Sequence, residues 1–136
     1  MSPMAIERIN PDGLHPTPGY HHVTVVAAGR LAFLAGQCPL DSSGSVVGAG
    51  DHAEQVDQIV ANTLRALAAV DAGPEDVVRT VIYVVTDGTT VLGEVWRRFL
   101  ESPLAPAFTT ASTLLGVARL GFTGQVVELD VTTALP

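Results

Sequence analysis

Residues 77 to 86, Val-Val-Arg-Thr-Val-Ile-Tyr-Val-Val-Thr, constrain the fold most, because β-branched and aromatic side chains fill nearly every position. Side chains alternate along a strand, so Val78, Thr80, Ile82 and Val84 line one face and Val77, Arg79, Val81, Tyr83 and Val85 the other. Both sets are largely apolar, which predicts a central strand covered on both sides. The neighbouring segments supply cover. Upstream, Val56, Ile59, Val60, Thr63, Leu64, Leu67 and Val70 recur at three- and four-residue intervals, an apolar helical face of about 20 residues. Asp51 and Glu54 form a capping-box pair at its start, and Gly73-Pro74 supplies its stop. Downstream, Val91, Leu92, Val95, Trp96, Phe99 and Leu100 make the buried stripe of a second helix over 90–101, ended by Pro103.

Around this centre the remaining strands are shorter. Pro3, Pro11, Pro16 and Pro18 with Gly13 and Gly19 predict a surface arm over the first 20 residues, with a short edge strand at Ile6 to Ile9. Residues 22–28 and 31–36 are β-rich and separated by Gly29-Arg30, which fits a tight hairpin. Residues 41–51 are a Gly, Ser and Asp loop in which Val46-Val47 adds a small strand or bulge, and further strands are expected near 108–118 and 125–133. The order β-β-α-β-α-β-β implies an α+β fold: a mixed sheet of about five to six strands with both helices on one face. The expectation is one domain over 1–136.

Hydrophobic residues make up 47% of the chain and charged residues only 15%, so part of the apolar surface is expected to be covered by partner subunits in a homo-oligomer. Fourteen acidic against seven basic residues give a formal charge of −7, which repels phosphate backbones and argues against nucleic-acid binding. Apolar runs break well before the roughly 20 residues of a membrane-spanning helix. A lone Cys38 forms no internal disulfide, and with no leader-like segment a reducing cytoplasm is expected. His21 and His22 are adjacent, and His15 and His52 stand apart, so no metal-binding spacing exists and no metal is predicted.

Four segments, in order, carry a resemblance. Pro18-Gly19-Tyr20 is followed by Leu31-Ala32-Phe33-Leu34-Ala35-Gly36-Gln37-Cys38-Pro39-Leu40-Asp41, an apolar strand running into a glycine-opened turn. Val78 to Asp87 comes next, and then Gly116-Val117-Ala118-Arg119-Leu120 with Val126-Val127-Glu128-Leu129. Over residues 18 to 132 the chain resembles the Rid/YjgF family, the reactive intermediate deaminases. The resemblance implies a chorismate-mutase-like fold, closing as a homotrimer around a central barrel with a small-molecule pocket at each subunit interface. It also implies cofactor-independent addition of water to a small imine or enamine.

The same resemblance distributes roles. Glu128 falls where the family carboxylate orients or activates water, and alternation puts it with Val126 and Asp130, opposite Val127, Leu129 and Val131. Tyr20, Gly36 and Gln37 fall at ligand-binding positions. The pocket arginine of the family is missing: Ser112 stands there, or Phe108 in the alternative register. Ala35 replaces a pocket serine and Gly93 a pocket asparagine, so the chain reads as a divergent subgroup whose site is less polar. Arg119 is the first candidate for a substitute cation, or else a surface ion-pair partner. Cys38 reads as a small buried thiol or as a pocket-mouth nucleophile needing a lowered pKa. With the charged anchor gone, two functions stand: an enzyme with Glu128 as acid/base acting on a neutral or weakly polar imine or enamine, and a non-catalytic ligand-binding or regulatory trimer. The ribonuclease activity sometimes attached to the family is disfavoured by the negative charge and the absence of a basic groove.

Overall fold

The computed structural model describes residues 6–27 and 29–135, so Pro3 of the expected arm and Ala28 of the expected hairpin lie outside the described residues. The elements are β1 Ile6–Ile9, β2 Val23–Val26, β3 Leu31–Phe33, α1 His52–Ala68, β4 Val77–Val85, α2 Thr89–Leu100, β5 Ala111–Val117 and β6 Val127–Ala134. Among the described residues six strands form two sheets, a β1-β2 ribbon and a four-stranded sheet in the order β3-β6-β4-β5. The architecture is α+β, as the sequence predicts.

The central position of β4 follows from its composition: β5 runs parallel on one side and β6 antiparallel on the other. Its two faces differ in cover. Val78, Thr80, Ile82 and Val84 are buried with Val127, Leu129 and Val131 of β6 beneath the two helices. On the second face Val77 is buried, ahead of a register shift at Arg79, but Arg79 is exposed and Val81, Tyr83 and Val85 are half-buried, so among the described residues no second layer covers them. Beside them Leu115 is exposed, and Phe33 at the sheet edge is 75% exposed.

The hairpin expected across Gly29-Arg30 does not form. β2 pairs antiparallel with β1, Ile6 facing Val26, and β3 pairs antiparallel with β6, Leu31 facing Ala134. A two-residue turn permits a hairpin without requiring one, and here the two flanking strands belong to separate sheets.

Helix α1 begins at Asp51, whose carboxylate accepts the Glu54 N–H at 3.1 Å. The second half of the capping box is replaced by a bond from the Asp51 N–H to the Gly48 carbonyl (2.7 Å). Its end comes earlier than Gly73-Pro74. Asp71 takes a left-handed conformation (φ 58°), the Ala72 N–H returns to the Leu67 carbonyl (3.0 Å) and the Asp71 N–H to Ala68 (3.1 Å), a Schellman-type closure. Gly73-Pro74 instead leads into a short 3₁₀ turn, Pro74–Asp76. Val70, expected on the apolar face, is 37% exposed because the helix has already ended.

Helix α2 ends at Leu100, three residues before Pro103, and a 3₁₀ turn, Ala105–Phe108, precedes β5. This turn carries Phe108 into the core, where its ring lies 4.9 Å from Phe99 and 5.9 Å from Trp96. Fully burying such a ring stabilises the fold by about 1.5–3 kcal/mol. Gln55, an apparent surface position, is fully buried. Its amide donates to the carbonyls of Gly48 (3.0 Å) and Gly124 (2.8 Å) and accepts the Val126 N–H (2.7 Å), tying two loops to α1.

Candidate functional site

The sequence candidates separate into two groups. The first gathers on the uncovered sheet face around Glu128. The Gln37 N–H donates to the Leu129 carbonyl (2.7 Å) and the Leu129 N–H returns to Gln37 (3.0 Å), a bridge that draws the turn after β3 against β6. Asn62 of α1 holds the continuation of that turn, donating to the carbonyls of Cys38 (3.1 Å) and Leu40 (2.9 Å). Gly36 consequently lies directly against the Glu128 carboxylate: a Cβ built on it would stand 2.1 Å from Oε2 and 3.0 Å from Cδ. The glycine is required there by a close approach rather than by a positive φ.

Glu128 faces the same side as Asp130 and is paired across the ladder with Tyr83, while Val127, Leu129 and Val131 point into the core, as alternation predicts. Its Oε1 accepts from the buried amide of Gln125 (3.1 Å) and from the Cys38 thiol (3.4 Å). Burial, then the Glu128 charge, push the Cys38 thiol up to about 11. It is therefore a protonated hydrogen-bond donor at neutral pH, which removes the pocket-mouth nucleophile reading. The Gln37 side chain turns away from Glu128 and donates to the Ala35 carbonyl (3.0 Å). Gln125 carried no sequence signal. A single glutamine in a loop matches no motif, and only the backbone path after the Phe122 turn brings its amide to Glu128.

The second group lies at the edge of the sheet, where β5 has β4 on one side only. There Tyr20, Trp96, Leu100, Gly93, Ser112 and Leu114 line a cleft of about 650 Å³. The arm reaches it because the Trp96 indole donates to the Pro18 carbonyl (2.9 Å) and Leu100 packs against Gly19. The Tyr20 hydroxyl pairs with His15 Nε2 at 3.0 Å and its ring meets Trp96 edge-on at 6.2 Å. Ser112 is tied into the chain: its hydroxyl receives Thr80 Oγ1 (2.6 Å) and reaches the Thr110 carbonyl (3.1 Å). Arg97, which carried no sequence signal, also lines this cleft. Its neighbour Arg98 is held by Asp57 at 2.7 Å.

The two groups do not meet within one chain. Glu128, Tyr83 and Leu115 stand in one row across the uncovered face, placing β5 two strand spacings from Glu128, roughly 10 Å. Ser112 sits on the opposite, core-facing side with Thr80. Arg119 is exposed in the loop after β5 and makes no ion pair among the described residues. Among the described residues no cluster of three or more metal-ligating side chains occurs, and no helix is long and apolar enough to cross a membrane.

Comparison with known proteins gives a consistent result. The family model described as Endoribonuclease L-PSP matches residues 13–135. Protein DfrA of Myxococcus xanthus is 32% identical over 133 residues, covering 96% of each chain. A RutC family protein of Synechocystis is 27% identical over 123 residues, covering 89% of this chain and 91% of its own. The crystal structure of YyfB, a Rid family protein of Yersinia pestis, superposes with a TM-score of 0.85 at 28% identity over 96% of this chain and 98% of its own.

Proposed function

Since the chain belongs to the Rid/YjgF family, described as Endoribonuclease L-PSP, we propose that it is a cofactor-independent enzyme that adds water to a small imine- or enamine-like reactive intermediate. The chain acts as one domain, and its site lies between subunits of a homotrimer. The observation that carries this reading is the built environment of Glu128: a carboxylate on the uncovered sheet face, pressed on a glycine backbone, with one oxygen engaged by donors and the other free of any donor among the described residues. Such a group exchanges protons with a water held beside it. Gly36 keeps the approach open, and the backbone around Gln37 lies within reach of a ligand.

The trimer is supported by what one chain leaves undone. Tyr20 with its cleft and Glu128 with its glycine are two half-sites on different parts of the sheet, and a neighbouring copy is able to bring its cleft against this Glu128. The uncovered face, with Phe33, Leu115, Val81 and Tyr83, offers apolar area for that contact. In the assembled site the missing arginine leaves a pocket for a neutral or weakly polar intermediate, and this chain is a divergent subgroup of its family. A reducing cytoplasm suits the free Cys38 thiol.

The test is release of ammonia from small uncharged imines, generated in situ by oxidation of simple primary amines and hydrolysed to the carbonyl compound, with Glu128→Gln beside the wild type. Accelerated release that falls to background in Glu128→Gln supports the enzyme. Equal turnover by both proteins removes Glu128 from the chemistry and defeats the mechanism. A second reading, a non-catalytic ligand-binding trimer, is favoured by one observation: the Ser112 hydroxyl is consumed by Thr80 and the backbone, so nothing at the arginine position is free to replace its charge. Ligand-dependent thermal stabilisation with no turnover selects that reading.

A further inference from the structure

The Glu128 carboxylate is held asymmetrically. Gln125 Nε2 (3.1 Å) and the Cys38 thiol (3.4 Å) both donate to Oε1, while Oε2 occupies the space where a side chain at Gly36 would begin. Gln125 is itself immobilised. The residue is only 4% exposed, its Nε2 donates also to the Val127 carbonyl (3.1 Å), and its Oε1 accepts the Phe122 N–H (3.2 Å). Cys38 is fixed through its backbone by Asn62 and the Gln37–Leu129 bridge, which sets its Cβ beside Glu128.

From this convergence we infer that Gln125 and Cys38 are positioning residues that saturate Oε1 of Glu128 and so assign proton exchange with water to Oε2. The inference rests on the reading of Glu128 as the acid/base group. Its physical basis is the rotation of a carboxylate: with both oxygens free the group spins about its last torsion and offers either oxygen in any direction. Two donors on one oxygen stop that rotation, because turning the group sacrifices two charge-assisted bonds at once. The second oxygen then keeps its lone pairs in one orientation, in the gap that Gly36 leaves. A base whose proton-accepting orbital is already aimed loses less on reaching the transition state than one that must be ordered first.

The thiol donates only while it carries its proton, and its surroundings keep it there. The charged or titratable groups on the same sheet face are Glu128 itself, Tyr83 opposite it on β4, Asp130 two residues along β6 and Arg79 further down β4. None of Tyr83, Asp130 and Arg79 bonds the sulfur; its one proton goes to the nearer Glu128 Oε1 (3.4 Å) rather than the Gly36 carbonyl (3.6 Å), and the Gln125 side chain also bonds it. The anionic carboxylate beside it is the charge it feels most directly.

Four variants and two readouts decide the matter: Cys38→Ala, Cys38→Ser, Gln125→Met and Glu128→Gln, each first shown by thermal melting to be folded. In the imine assay Cys38→Ala is expected to lower kcat about tenfold with KM near the wild-type value, while Cys38→Ser, which restores a donor, stays within about twofold of wild type. Gln125→Met follows Cys38→Ala. The second readout needs no turnover: thiolate absorbance at 240 nm against pH, in wild type and Glu128→Gln. Loss of the carboxylate charge is expected to move the Cys38 titration down from about 11. Equal kcat in Cys38→Ala and Cys38→Ser, or a thiol titration indifferent to Glu128→Gln, overturns the inference. If the wild type turns over no imine, the catalytic reading falls alone and the thiol titration still decides whether the clamp exists.

Discussion

Adding one methyl group at Gly36 probes the site directly. A Cβ there would stand 2.1 Å from Glu128 Oε2, against the 3.4 Å at which ordinary contact begins, so the carboxylate must retreat by about 1.3 Å, the difference between the two. The backbone at Gly36 does not have a positive φ, so alanine itself is not strained. Retreat therefore carries the cost. Moving the carboxylate that far takes Oε1 from Gln125 at 3.1 Å and from Cys38 at 3.4 Å, and the two lost donors, discounted for a half-exposed site, are worth about 1–2 kcal/mol together. The assay is a double-mutant cycle by urea denaturation at neutral pH over wild type, Gly36→Ala, Glu128→Ala and the double variant. Gly36→Ala is expected to destabilise the wild type by about 1–2 kcal/mol and the Glu128→Ala background by a few tenths at most. An equal cost in both backgrounds would falsify the placement of the carboxylate on Gly36.

Three other perturbations test the rest of the frame. Gln55→Leu fits the space but strands the Val126 N–H and two loop carbonyls, so a loss of about 2–4 kcal/mol is expected, with faster amide exchange at Val126. Asp71→Gly relieves a left-handed residue at the end of α1 and should stabilise by about 0.5 kcal/mol, read as a small rise in Tm; a fall would show that the aspartate side chain contributes more than its backbone costs. Cys38 has a folded-state pKa raised to about 11 from an ordinary 9.0, so the native state favours the protonated thiol; its contribution is complete below pH 9 and lost as the pH rises through 11. Wild type should accordingly lose stability relative to Cys38→Ala across that window, and parallel curves for the two proteins would remove the thiol from the balance.

Much of the architecture was legible because it rests on local periodicity. The apolar faces of Val56 to Leu67 and Val95 to Phe99, the cap at Asp51 and the β-branched run of β4 depend on neighbours within a few residues, and each formed where the pattern placed it. The stop of α1 was misplaced because the left-handed turn fell on Asp71, whereas Gly73-Pro74 carries the stronger breaker signal. The hairpin across Gly29-Arg30 failed for a different reason: adjacency in sequence says nothing of whether β1 and β6 offer β2 and β3 better-matched edges.

The site divides in the same way. That Glu128 faces away from the core is a property of a six-residue alternation, and the sequence by itself determined it, as it determined the glycine at the end of the β3 turn. That Oε2 rests on Gly36, that Cys38 reaches Glu128 from 90 residues away and that Gln125 joins them are contacts between segments with no common period, decided only by the tertiary structure. Tertiary structure alone also separated Tyr20 and Ser112 from Glu128, since position along a strand assigns a face but never the distance between one strand and another. Local chemistry repeats along the chain and can be read there, whereas convergence in space follows from strand order and loop path, which long-range packing selects.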